Sequence, residues 1–177
     1  VGGQKPLPPE VQGWADGAKA AYRSGNPAEA LRLQEQVVAW LRANRGPLDA
    51  ERAKALSNLG VLLGAVGRRG EALAPTEEAV KVYRELAKTN PAFLGDLAGA
   101  LNNLGGSYRE VGRRAEALAP TEEAVKVYRE LAKSNPAVLG DLAASLNNLG
   151  NRYSELGRRA EALSLTEEAV RVYRDLA

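Results

Sequence analysis

Apolar positions in this chain recur with the period of a helix. Leu97, Leu101, Leu104, Tyr108 and Val111 follow one another at spacings of four and three, which lays one apolar stripe along a helix over 91–111. Gly112 is placed to supply the left-handed residue that ends it. Beyond it, Ala117, Leu118, Thr121, Ala124, Val125, Tyr128 and Leu131 form a second stripe and predict a helix over 114–134. Glu122, Lys126 and Glu130 stand at i,i+4 spacing on the outer face of that helix, pairs worth a few tenths of a kcal/mol each. Asn135–Pro136, like Asn90–Pro91, reads as an N-cap followed by proline at the first helical position. The same reading predicts the remaining helices over 9–24, 27–45, 48–66, 69–89, 136–156 and 159–177, with short turns centred on Gly25, Gly67, Gly112 and Gly157 and no strand.

The stripes repeat along with the residues. EALAPTEEAVKVYRELAK occurs at 71–88 and unchanged at 116–133, and EALSLTEEAVRVYRDLA closes the chain from 161. LSNLG at Leu56 and LNNLG at Leu101 and Leu146 set a period of 45, and GNPAEAL (Gly25–Leu31) is a degenerate copy 42 residues upstream of its counterpart. The chain therefore divides into a linker over 1–8 and one array over 9–177. The array has four units: 9–46 (degenerate), 47–90, 91–135 and 136–177 (truncated). Each unit holds two helices, A and B, with one apolar stripe apiece, and stacking unit on unit buries the stripes continuously, which makes an all-α solenoid. Pro75 and Pro120 fall near the second turn of helix B, where each removes a backbone hydrogen bond at a cost of up to ~3 kcal/mol. Leu165 fills the same slot in an otherwise matching helix, so the prolines are expected to bend helix B and not to begin it.

At LNNLGGSY (Leu101–Tyr108), followed by Ala117 and Ala124, the unit resembles a tetratricopeptide repeat. Leu104, Gly105 and Tyr108 match the Leu-Gly-x-x-Tyr of that family, and Ala117 and Ala124 match its two small residues on helix B. Leu101 stands where the family usually has Trp, and Thr121 replaces its usual Phe. Trp14 fills the Trp position of the first unit, where Gly17, Ala18 and Ala21 depart from the pattern. The units are longer than the family's usual ~34 residues. About seven of the extra residues extend helix B and about four extend helix A, close to three turns in all. Long repeats with an Asn-Asn-Leu core resemble those of kinesin light chain and of bacterial multidomain signalling proteins. The resemblance implies a right-handed superhelix with helix A lining a concave groove and helix B forming the convex back.

Composition removes most catalytic chemistry. Cys, Met and His are all absent, so there is no thiolate nucleophile, no imidazole base and no ordinary Cys/His zinc site, and no cofactor is expected. With 24 basic and 22 acidic residues interspersed and a net charge of +2, the surface offers neither nucleic acid nor a membrane a patch. No apolar run approaches the ~20 residues of a membrane span, and no signal-peptide core is present, so a cytoplasmic location is expected. A chain that starts at Val1 and lacks Met reads as an excerpt or a processed product.

The remaining chemistry is periodic. Away from its apolar stripe, helix A carries Asn102, Asn103, Gly106, Arg109 and Glu110. The next unit has Asn147, Asn148, Asn151, Ser154 and Glu155, and the preceding one has Lys54, Ser57, Asn58 and Val61. A carboxamide both donates and accepts, so the column Asn58, Asn103, Asn148 could hold the backbone of an extended peptide; alternatively these amides tie repeat to repeat. On the first reading Asn103→Ala weakens peptide binding and spares stability, and on the second the reverse. The Arg doublets at 68–69, 113–114 and 158–159 are expected to favour the C-terminal dipole of helix A and to pair with Glu71, Glu116 and Glu161, in preference to forming a basic ridge. Gly60, Gly105 and Gly150 are expected to permit close helix contact, and Tyr83, Tyr128 and Tyr173 to pack. Asp96 and Asp141 recur too far apart to form a catalytic pair or a metal cage.

The function expected is a non-catalytic scaffold that binds a protein or peptide ligand in the groove. The alternative is a spacer or regulatory arm of a larger signalling enzyme, and an enzyme within the chain itself is the weakest option. Leu163, Val170, Tyr173 and Leu176 on the last helix are expected to stay partly in water, to support weak self-association, and to be covered in the natural protein by further repeats or a capping helix.

Overall fold

The structure is a computed structural model that describes residues 6–175. Within them the chain forms α1 (Pro9–Arg23), α2 (Pro27–Asn44), α3 (Ala50–Ala65), α4 (Arg69–Thr89), α5 (Leu94–Glu110), α6 (Arg114–Ala132), α7 (Leu139–Glu155) and α8 (Arg159–Asp175), with no strand among the described residues. The helices pack as antiparallel pairs, α1 with α2 through α7 with α8. Each pair stacks on the next through the contacts α2–α3, α4–α5 and α6–α7. The odd-numbered helices also approach one another, α3 to α5 and α5 to α7, so they form the inner layer of the stack.

The turns follow the sequence closely. Gly25, Gly67, Gly112 and Gly157 have φ of 77°, 83°, 81° and 77°, the left-handed region that glycine enters without cost. At Gly112 the chain closes with Gly112 N–H to Arg109 C=O (2.9 Å) and Arg113 N–H to Tyr108 C=O (2.9 Å), which uses carbonyls that the helix end leaves free. Three starts differ from expectation. Helix α3 begins at Ala50 and not at 48, because the Asp49 carboxylate accepts from Arg52 N–H (2.9 Å) and caps it. Pro91–Phe93 and Pro136–Val138 form single 3-10 turns ahead of α5 and α7. There the side chains of Asn90 and Asn135 accept from the amide two residues on (3.1 and 3.2 Å) and tighten the entry.

Pro75 and Pro120 lie inside α4 and α6, both buried, in the slot that Leu165 fills in α8. The carbonyls four residues before them, which a proline cannot bond, belong to the exposed residues Glu71 and Glu116. Next to each proline a threonine hydroxyl donates back to its own helix, Thr76 to Ala72 C=O (2.9 Å) and Thr121 to Ala117 C=O (2.8 Å). The same threonines receive the inner layer. A Cβ on Gly60 would collide with Thr76 and one on Gly105 with Thr121, while one on Gly150 would stand 3.4 Å from the Thr166 hydroxyl and from the Ala162 carbonyl oxygen.

Leu56, Leu101 and Leu146 are fully buried, one in each of the last three units, and Tyr83 and Tyr128 are 3% and 6% exposed. Burial, helped by the Asp141 and Asp96 charges, pushes the Tyr128 hydroxyl up to about 12. On the outer face the acids serve other partners than the expected Glu122–Lys126 and Lys126–Glu130 pairs. Glu122 accepts from Tyr153 of α7, and Glu130 pairs with Lys133 (2.8 Å). Adjacent even-numbered helices are joined by the ion pairs Arg42–Glu78 (2.6 Å), Arg84–Glu123 and Arg129–Glu168 (2.6 Å), and Arg68 at the start of α4 also reaches Glu35 of α2 (3.1 Å).

Candidate peptide-binding groove

The inner faces of α3, α5 and α7 bear the predicted ligand residues. Lys54, Ser57, Asn58 and Asn103 line one hollow of about 470 Å³, together with Asp96 and Asp141. Asn102, Asn103 and Asn148 line the next, of about 250 Å³, so Asn103 borders both. Asn147, Asn151 and Arg109 border neither: Asn147 is half-buried in α7, Asn151 is exposed, and Arg109 pairs with Glu155 (3.6 Å).

Two amides span the repeats. Asn103 Nδ2 donates to Ser57 Oγ on α3 (3.0 Å), and Asn102 Nδ2 donates to Ser145 Oγ on α7 (2.5 Å). Helix α5 is thus bonded to both inner neighbours. The carbonyl end of Asn103 is outside that bond, and the side chains of Asn58 and Asn148 make no hydrogen bond among the described residues. The column therefore contains one amide tied between repeats and two with donors and acceptors to spare.

The first arginine of each doublet takes the structural role. Arg68, Arg113 and Arg158 each pair with the glutamate three residues on, Glu71 (2.6 Å), Glu116 and Glu161 (2.9 Å). Arg113 and Arg158 also stack on Tyr108 and Tyr153, 4.6 and 4.2 Å from the ring centres. These guanidinium groups hold Glu71, Glu116 and Glu161 below the usual carboxylate range through their hydrogen bonds; at Glu161 its own backbone amide contributes most.

Arg152 escaped the sequence reading. It lies on α7, is 6% exposed, and its Nε is buried without a partner. Desolvation, and then the like charge of Arg109, push its guanidinium below the ordinary value, while Glu155 and Glu110 act in the other direction. The available signal was its register, since the same position holds Leu62 in α3 and Ser107 in α5. A charge in a slot that its own repeats fill with small or apolar residues marks a departure from the packing rule. Among the described residues, no group of three acidic, His or Cys side chains could hold a metal ion, and no helix is long and apolar enough to cross a membrane.

The sequence profile of the tetratricopeptide repeat family matches residues 18–85 and 96–175. No curated protein matches the chain. Among solved structures, BtubC (BKLC) from P. vanneervenii superposes with a TM-score of 0.82 at 20% identity, over 97% of this chain and 67% of its own. A kinesin light chain-like protein of Podosopora anserina with nearly identical TPR-like repeats gives 0.75 at 24% identity, over 98% and 79%. The apo form of RapI gives 0.77 at 14% identity, over 94% and 57%. Likeness at these identities is one of fold, and that fold is commonly a scaffold for protein–protein interaction and typically non-catalytic. With the family pattern spanning most of its length, the chain belongs to the tetratricopeptide repeat family.

Proposed function

We propose that residues 9–177 act as one array of four units, a non-catalytic cytoplasmic scaffold that holds an extended segment of a partner protein in the groove of α3, α5 and α7. The carrying observation is where the repeats differ. Residues 71–88 and 116–133, covering most of α4 and α6, are identical, whereas the inner helices diverge. Lys54, Gly99 and Ala144 share one position, Val61, Gly106 and Asn151 another, and Gly64, Arg109 and Ser154 a third. A spacer would place equal demands on both helices of a unit; a groove that holds a ligand's backbone with an invariant amide column, Asn58, Asn103 and Asn148, varies around that column where it meets the ligand's side chains.

In this reading Lys54, Ser57, Asn58, Asn102, Asn103, Arg109, Asn147, Asn148 and Asn151 supply the groove, with Asn58 and Asn148 bonding the ligand backbone most directly. Against a fluorescent dodecapeptide selected from a random library, Asn58→Ala and Asn148→Ala should each weaken binding by about 0.5–1.5 kcal/mol and leave the melting temperature unchanged. Asn103→Ala should lower both, because it also releases Ser57. Stability losses at Asn58 and Asn148 with affinity intact would reject the ligand ladder.

Self-association through α8 belongs to the same proposal. Its Leu163, Val170 and Tyr173 are 62%, 43% and 46% exposed; Leu176 lies outside the described residues. Sedimentation equilibrium should show weak, concentration-dependent dimers that Leu163→Lys with Val170→Lys abolishes. A strictly monomeric wild type would remove this part of the reading.

A further inference from the structure

The outer helices repeat even at positions that the fold leaves to solvent. Residues 71–88 and 116–133 are identical, exposed positions included, and the third copy departs from them over 161–175 only at Ser164, Leu165, Arg171 and Asp175. Two of those changes, Arg171 for lysine and Asp175 for glutamate, replace the side chain and keep the charge. Packing does not ask for a cation at 81, 126 or 171, because α2 holds Ala39 in the same register and all four positions are exposed. A lysine with glutamates four residues to either side ordinarily pairs with one of them. Here Glu77 accepts from Tyr108 of α5 (2.8 Å) and Glu85 pairs with Lys88 (2.7 Å). One unit on, Glu122 accepts from Tyr153 and Glu130 pairs with Lys133. Lys81, Lys126 and Arg171 make no hydrogen bond or ion pair among the described residues. The ties Arg84–Glu123 and Arg129–Glu168 run from one turn beyond each lysine to one turn before the next cation, so the three stand in a row on adjoining helices. Lys81 also lines, with Arg84 and Tyr108, an outer hollow of about 380 Å³ between α4 and α5.

We propose that this row is a second interaction surface, on the outer layer and independent of the groove. It holds an acidic protein segment that runs across α4, α6 and α8, with one carboxylate for each of Lys81, Lys126 and Arg171. Carboxylates spaced along a peptide match cations spaced one to a helix. The phosphates of a nucleic acid, one charge per about 3.4 Å of each duplex strand, would also meet Glu77, Glu85 and their repeats between the cations. A second copy of the chain would bring cations against cations.

The test uses the whole chain and two labelled probes, decaglutamate and decaglutamine, both blocked at their ends and reaching about 33 Å when extended. Decaglutamate should bind about tenfold more tightly, by a margin that shrinks as salt rises. Lys81→Ala, Lys126→Ala and Arg171→Ala together install the residue of α2, and should abolish the difference with the melting temperature unchanged. Should that variant not fold, glutamine at the three positions removes the charge and keeps a long side chain. Lys81→Arg with Lys126→Arg should retain the preference, since Arg171 already stands in α8. Tyr108→Phe with Tyr153→Phe should weaken decaglutamate binding, because Glu77 and Glu122 are then free to neutralise the lysines. The dodecapeptide selected for the groove should bind the alanine variant as it binds the wild type and should not displace decaglutamate. Displacement would put the acidic probe in the groove and overturn the inference. Equal binding of the two probes, a preference that survives loss of the three cations, or a decathymidylate strand that binds more tightly than decaglutamate also overturns it, and each leaves the groove reading standing.

Discussion

Leu101→Ala is expected to lower the unfolding free energy by about 2–5 kcal/mol, read from urea denaturation. Leu101 is fully buried in the third pair from the N-terminus, at the level where α4, α5, α6 and α7 meet. Each unit of a solenoid touches only its neighbours, so a cavity there weakens the interfaces on both sides at once. Leu163→Ala is the matched control. The same side-chain loss at a position 62% exposed should stay within about 0.5 kcal/mol. If the two variants lose similar amounts, the burial pattern is not what holds the stack together.

Gly105→Ala should cost about 1–3 kcal/mol through overpacking, although alanine is the better helix former by ~1 kcal/mol. The new Cβ would strike the Thr121 hydroxyl and lie 3.1 Å from the Ala117 carbonyl oxygen. Thr121 is completely buried and cannot swing away without breaking its own bond to Ala117. One residue on, Gly106 has nothing within 4 Å of an added Cβ, so Gly106→Ala should stabilise by up to ~1 kcal/mol. Adding Thr121→Ala to Gly105→Ala should recover part of the loss, because the clash with the hydroxyl goes and the approach to the carbonyl stays. A stabilised Gly105→Ala variant would show that the helices have room to part.

These contacts mark how far the sequence could be read. The apolar spacing around Leu101 and the glycines at 67, 112 and 157 placed the helices and turns to within three residues, because period and left-handed φ are local properties. The start of α3 was missed because a carboxylate at Asp49 can begin a helix or ride inside one, and only the bond to Arg52 decides. The pairs expected around Lys126 were missed for a different reason. Glu122 has a better partner in Tyr153, which is remote in sequence and adjacent only after stacking. The candidate site was legible as a column of amides, yet nothing local says that Asn103 spends its donor on Ser57. Arg152 was legible only by comparing one repeat with another, since an arginine within a helix carries no mark of burial.

The two sides of the stack resist deformation differently. Along the inner edge, α3, α5 and α7 are clamped by packed side chains and by the amide bonds of Asn102 and Asn103. Along the outer edge the ties are Arg42–Glu78, Arg84–Glu123 and Arg129–Glu168, with the arginine side chains 44–48% exposed, contacts that contribute at most about 1 kcal/mol each and that dissolved ions screen. The array is therefore a leaf spring with a stiff inner leaf and a compliant outer one. Bending strain collects on the outside, and the salt around the protein sets its preferred curvature before it affects any helix.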